Sequence, residues 1–564
     1  MKKVTIIALL FFACKQLHSQ SVDQGKKFFY YERYLSAREQ FQKALDANPN
    51  NIDAAYWLGQ TLIELDDSTA AKALYQKMLS TNGNAPLMLV GEGEIELMEN
   101  KTSDARQHFI AAIGLTKNKD INVLNAIAKA NIDAPYGDAA YALATLNSVA
   151  NEKRDPRTAE SFIRIGQAHR KMIDGGGAVT AFNKALTLDP KLAAAKYEIG
   201  RVYLTQNNPE YFLPAFEEAV QLDPNYAPAF YQLYDYWYTR DINKSKEFFN
   251  RYLAVSDVKP SNDYDRISLL YAAKNFQTSI DSAKIKVAQL GAQADPRYYK
   301  LIAYSYDELK DSANAKTYLD QYFAKQKADA FIPKDYSFRA TLLSKFPGNE
   351  AEAFTNYQKA VELDTTAAGK QNLMAEAASL AGKSKNFVEQ GNWLKKIYLM
   401  KKDPTNRDLY DLGYANYQAG NYVAADSIFC GVYTVKYPTE IFGYLWCARA
   451  AQAQDTSNEK GLAVEPNKRL IAYADTAREK YKTQLIAAHG YLASYYANVV
   501  KDKDSAVSQL KSIVELDSSN ADAQKYIDIL TKPAPTQRQA SSSQAKKSTS
   551  TKSPAKKPSG KKKP

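Results

Sequence analysis

Residues 159–192 read AESFIRIGQAHRKMIDGGGAVTAFNKALTLDPKL. Phe162, Ile165 and Gly166 open the stretch, and Ala178, Phe182, Ala185 and Pro190 complete it. The next stretch repeats the scheme with Ile199, Gly200, Tyr203, Phe216, Ala219 and Pro224, so that Gly166 and Gly200 stand 34 residues apart. Upstream, Gly25, Gly59 and Gly93 keep the same 34-residue step, each followed by an alanine (Ala37, Ala71, Ala105) and an aromatic (Phe41, Tyr75, Phe109). Small, small and large residues at a fixed period are the mark of one helical hairpin stacked on another. A glycine and an alanine let two antiparallel helices approach, and the aromatic fills the space they leave. Proline ends the second helix because it lacks an N–H and clashes with the preceding turn.

This pattern resembles the tetratricopeptide repeat. Weaker copies keep the phase at 296–329 (Tyr299, Ile302, Ala303, Tyr306, Ala315), at 334–367 (Ala353, Tyr357, Ala360) and at 406–439 (Leu409, Leu412, Gly413, Ala425, Phe429). A last copy holds Ala506, Leu510 and Ile513. Stretches near 120–155, 261–294 and 368–405 have helical period but little signature. The resemblance implies an all-α, right-handed superhelical solenoid of stacked antiparallel helix pairs over 21–531, with roughly a dozen hairpins.

The net charge of +12 is unevenly placed. Residues 533–564 hold nine lysines and arginines and no acid, and residues 1–20 add three lysines, which leaves 21–532 neutral. From 532 onward the chain is Ser, Thr, Ala, Pro, Gln and Lys, a composition that buries no core and predicts a disordered tail. Its lysines, Lys546, Lys547, Lys552, Lys556, Lys557, Lys561, Lys562 and Lys563, suit an anionic lipid, lipopolysaccharide or glycan. The tail has no aromatic for base stacking, which argues against specific nucleic-acid recognition.

At the other end, Lys2 and Lys3 precede the apolar run Val4 to Ala13, and residues 1–20 read as a secretory signal peptide. The predicted location is therefore the periplasm or the outer membrane. Phe11-Phe12-Ala13-Cys14 resembles a degraded bacterial lipobox, so Cys14 is a candidate lipid anchor, the alternative being removal with the leader. Asp-Ser or Asp-Thr followed by a small or aliphatic residue recurs, as at Asp281-Ser282-Ala283, Asp311-Ser312-Ala313 and Asp504-Ser505-Ala506. It is similar to a bacterial O-glycosylation sequon, and it equally suits caps at the starts of second helices. Only Cys430 and Cys447 remain in the mature chain. They lie on neighbouring helices where a bridge is feasible, but two free buried thiols are the favoured reading.

Nothing in the chain spells a catalytic centre. His18, His108, His169 and His489 have no metal-ligand spacing, and Gly175-Gly176-Gly177 falls between the two helices of one hairpin rather than after a strand. No catalytic residue, cofactor or metal is expected, and the predicted class is a protein–protein interaction scaffold. In the family that the repeats resemble, partners bind to the inward-facing positions of the first helices. Those positions here give a broken tyrosine stripe with one arginine: Tyr56, Tyr197, Arg201, Tyr231, Tyr304, Tyr410, Tyr414 and Tyr417. Tyrosine pairs a flat apolar face with a hydroxyl at low entropic cost, which suits extended peptide segments of other envelope proteins. The carboxylate clamp of the chaperone-binding members is not matched, since its slots read Tyr197, Arg201, Tyr231 and Asp235. Two other readings stay open: an envelope protein acting through its basic tail, and a cytosolic scaffold.

Overall fold

Each repeated glycine lies under the aromatic sixteen residues later, on the second helix of its own hairpin. In a computed structural model of the chain, a Cβ at Gly25, Gly93, Gly166, Gly200 or Gly413 would fall inside the ring of Phe41, Phe109, Phe182, Phe216 or Phe429, and one at Gly59 inside Tyr75. The alanines between them, such as Ala37, Ala71, Ala105, Ala178 and Ala425, are fully buried. The scheme seen in the sequence is thus the crossing of two helices, where any larger side chain would overpack.

The structure describes residues 21–151 and 154–532. The leader with Cys14 and the lysine tail from Lys546 to Lys563 lie outside them. Among the described residues all regular structure is helical, with no strand. These residues fall into two compact units, one ending at Gln326 and one starting at Lys327. The first contains nine hairpins, from 21–30 paired with Tyr34–Ala47 to Arg297–Glu308 paired with Ser312–Lys325. The second contains five, from Pro333–Leu343 with Glu350–Leu363 to Lys482–Tyr495 with Lys503–Leu516, closed by helix Ala521–Thr531. The stretches with weak signature, near 120–155, 261–294 and 368–405, each fold as a hairpin. Several first helices touch the first helix of the next hairpin, as Ile52–Glu64 does Pro86–Met98 and Pro86–Met98 does Ile121–Asp133, which places these on the inner side of the stack.

The turn inside each hairpin repeats as well. Glu32, Asp66 and Asn100 are 34 residues apart, as are Ile173 and Asn207, and all five have φ between 51° and 64°. Asparagine tolerates this left-handed conformation, but β-branched Ile173 is strained there and is 94% exposed, so burial offers it no compensation. Ile173→Asn is expected to stabilise the first unit by about 1 kcal/mol. Thermal unfolding checks this, and an unchanged or lower melting temperature would count against it.

The first unit closes on itself. Helix Tyr34–Ala47 has no side-chain cap from its preceding residue, Arg33. Its cap arrives from far along the chain. Asp257, 6% exposed, accepts from the Leu35 N–H (2.8 Å), the Ser36 N–H (3.1 Å), the Ser36 hydroxyl (2.5 Å) and the Arg33 guanidinium (3.3 Å). Helix Ala193–Thr205 also lacks a cap from its preceding residue, Leu192, and there the Tyr30 hydroxyl accepts from the Ala194 N–H at 3.1 Å. The Tyr31 hydroxyl donates to Asp223 at 2.8 Å. The corner at residues 30–36 is therefore docked against hairpins more than 160 residues away. Free N–H groups at two helix starts supply half of these six hydrogen bonds.

Three sequence expectations need correction. Gly175-Gly176-Gly177 does not lie between helices but opens helix Gly175–Leu188, capped by Asp174. Cys430 and Cys447 are joined by a disulfide, with Cα atoms 4.8 Å apart, rather than being two free thiols. Cys430 lies in a π-helical turn, Ser427–Tyr433, and the extra residue in that turn re-aims the side chains that follow, which a 3.6-residue period cannot anticipate. Asp281 lies well inside helix Phe276–Leu290 and caps nothing at its start, and Asp504 lies within helix Lys503–Leu516, whose cap is Asp502, whereas Asp311 does cap its helix through the Asn314 N–H (3.1 Å).

Candidate partner-binding surfaces

Of the eight inward positions, five lie in the first unit and three in the second. Tyr56 and Tyr197 are 3% and 8% exposed, so most of each ring is already packed. The Tyr56 carbonyl accepts from the Tyr75 hydroxyl at 3.3 Å, and its ring meets Trp57 edge-on. Burial raises the hydroxyl pKa of both. Arg201 pairs with Glu198 at 3.3 Å and stands 5.7 Å from the Tyr197 ring centre. Tyr304 is half-buried beside Tyr271, with ring centres 6.2 Å apart.

The interior of the first unit holds many charges. Lys129, 5% exposed, meets Asp133 at 2.8 Å, Glu64 at 3.6 Å and Glu94 at 3.7 Å. Glu198 meets both Arg170 (3.4 Å) and Arg201 (3.3 Å). Tyr197 and Tyr231 share a cavity of about 290 Å³ with Tyr31, Glu32, Tyr252, Lys259 and Asp265. Two acids there are displaced upward. Glu32 is exposed, yet desolvation by the residues crowding its carboxyl, reinforced by Glu64 and Glu198 and opposed by Lys259 and Arg201, pushes it up to about 7. Burial, opposed by Arg297 and reinforced by Asp235, pushes Asp265 up to about 6.

The second unit brings three of the predicted tyrosines together. Tyr410 and Tyr414, on helix Asn406–Gln418, stack nearly parallel (7°) with centres 5.9 Å apart. Trp446, on helix Ile441–Gln454, meets Tyr414 and Tyr417 edge-on at 5.0 and 5.1 Å. Phe442, 47% exposed, adds a fifth ring 5.7 Å from Tyr410. Beneath Trp446 lies the buried Phe429 ring, at 6.1 Å, and the Arg449 guanidinium stands 4.6 Å from the indole centre. Among the described residues no carboxylate pairs with Arg449, whereas Arg407 is tied to Asp411 at 2.8 Å. The Cys430–Cys447 bond ties the π-helical turn to helix Ile441–Gln454, so the helix that carries Phe442 and Trp446 is held by a covalent link as well as by packing.

Phe442, Trp446 and Arg449 were missed by the repeat arithmetic. Stepping 34 residues on from Tyr410 lands on Tyr444, which stacks instead on Tyr473 at 4.9 Å. The π-helical turn between the two helices shifts the phase. Asp426, Cys430 and Cys447 lie close enough to resemble a metal site, but the two sulfurs are bonded to each other and leave no thiolate to coordinate an ion.

Tetratricopeptide-repeat family models match residues 29–90 and 163–227. Among solved structures, the C-terminal part of a TPR repeat-containing protein from Cytophaga hutchinsonii is similar, at 29% identity, over 47% of this chain and 99% of that one, with a TM-score of 0.31. The APC/C hetero-tetramer Cut9–Hcn1 matches at 13% identity over 90% of this chain and 95% of that one, with a TM-score of 0.28. The P58(IPK) TPR domain matches at 11% identity over 66% of this chain and 97% of that one, with a TM-score of 0.18. No curated protein matches. With both matched segments folded as glycine-crossed helix pairs at the expected period, residues 29–90 and 163–227 are tetratricopeptide repeats, and such repeats support a protein–protein interaction scaffold.

Proposed function

We propose that this protein is a non-enzymatic scaffold of the bacterial cell envelope that holds extended segments of partner proteins, chiefly on the aromatic surface of its second unit. The observation that carries this reading is the grouping of Tyr410, Tyr414, Tyr417, Phe442 and Trp446 beside Arg449, which has no acidic partner among the described residues. Partly open aromatics with an arginine are the residue types that dominate binding energy at interfaces. Export is supported by the basic and apolar leader and by a disulfide, a bond suited to an oxidising compartment. The tail lysines Lys546 to Lys563 would add a salt-sensitive attachment to an anionic surface.

Crosslinking capture from envelope fractions tests this. Phe442→Ala removes an exposed ring at little cost to the core and is expected to weaken capture about tenfold, or about 1.4 kcal/mol. Tyr211→Ala, on the second helix Pro209–Leu222 and 55% exposed, is expected to leave capture unchanged. Equal behaviour of the two variants would contradict the proposal.

A further inference from the structure

The charges inside the first unit are mostly matched, and one buried carboxylate is not. Lys129 serves Glu94 and Asp133, and two arginines serve Glu198. Asp265, on helix Pro260–Ala272, is 8% exposed, and among the described residues its carboxylate has neither a hydrogen bond nor an ion pair. Arg297, the cation acting on it, is held by Asp295 at 2.7 Å and lies 4.4 Å from the Tyr264 ring centre. Glu32 is exposed, has no side-chain partner among the described residues, and borders the same cavity. Lys259 is the one cation in the lining, against two carboxylates. Leaving a carboxylate buried and unpaired is costly, and such groups cluster at functional sites. Around the two acids stand Tyr31, Tyr197, Tyr231 and Tyr252, rings whose faces attract cations.

We propose that this cavity binds an organic cation, the ammonium or guanidinium group of a lysine or arginine side chain on a partner segment, between Glu32 and Asp265 and against the tyrosine rings. The site rests on the reading that inner surfaces take partner segments, and it names the chemistry one of them selects. Tyr31 and Glu32 come from the docked corner of the first hairpin, so the site is complete only while the first unit is closed. Solvent reaches it, since Tyr231 is 36% exposed.

Calorimetric titration of the full chain with blocked Gly-Lys-Gly, its norleucine counterpart and butylammonium chloride tests the proposal. The lysine peptide is expected to bind at least about tenfold tighter than the norleucine peptide, and Asp265→Asn to abolish the difference. A bound cation favours ionised acids, so binding near pH 6.5 should release protons. The charges facing the two acids, Glu64, Glu198, Lys259 and Arg201 around Glu32, and Asp235 and Arg297 around Asp265, set that pH. Asp265→Asn is expected to keep or raise the melting temperature, because it removes an unpaired charge. A lowered melting temperature, or lysine and norleucine peptides that bind alike, would overturn the proposal. Butylammonium binding as tightly as the lysine peptide would replace the partner segment with a free amine. Loss of lysine discrimination with envelope capture still sensitive to Phe442→Ala would sink this site alone.

Discussion

Replacing Asp257 with alanine is expected to release the first hairpin from the rest of its unit and to cost about 3 kcal/mol or more. One buried carboxylate accepts two backbone N–H groups, a hydroxyl and a guanidinium, all from residues 33–36. The variant leaves the start of helix Tyr34–Ala47 without a cap, since Arg33 supplies none. A cap alone is worth about 1 kcal/mol, and charged acceptors add to it. Hydrogen exchange at Leu35 and Ser36 reads the effect directly. Both amides should lose protection while the core around Phe182 keeps its own. Asp257→Asn, which keeps one acceptor, should fall between the two. Full protection in the alanine variant would show that packing, not the cap, holds the corner.

Reducing the Cys430–Cys447 bond, or replacing both cysteines with alanine, is expected to cost the second unit about 3 kcal/mol through the freedom regained by its unfolded chain. The closed loop is short, with the two residues 17 apart, and loop-closure entropy sets that scale. The bond links the π-helical turn to helix Ile441–Gln454, so its loss should also loosen Trp446 and weaken partner capture. Unfolding with and without reductant checks the first effect, and capture under reductant checks the second. The first unit has no cysteine among its described residues and serves as the internal control. Identical unfolding in both conditions would refute the expectation.

What was legible in the sequence, and what was not, follows from distance along the chain. The sixteen-residue link between Gly166 and Phe182, and its copies, is local and survives as a repeated spacing. Hairpins without the glycine, such as Ile121–Asp133 with Ala139–Asn147, keep helical period but use other residues to fill the crossing. Closure of the first unit depends on single residues, Asp257 and Tyr30, that are unremarkable in their own repeats and find partners 221 and 164 residues away. No periodicity encodes such a contact. The second-unit surface was half legible for a related reason. Tyr410, Tyr414 and Tyr417 share one helix and one face, whereas Trp446 reaches them only after a π-helical turn has shifted the count.

Borrowing a cap from residue 257 has a consequence for the order in which the protein is made. Stacked hairpins otherwise fold by contact with the neighbour just synthesised. Here the earliest hairpin emerges long before Asp257 exists, and it stays frayed at its corner until six more hairpins have been threaded out and wound into place. The last event in assembling the first unit thus involves its oldest residues, and a fragment truncated before 257 would carry an unfinished beginning rather than an unfinished end.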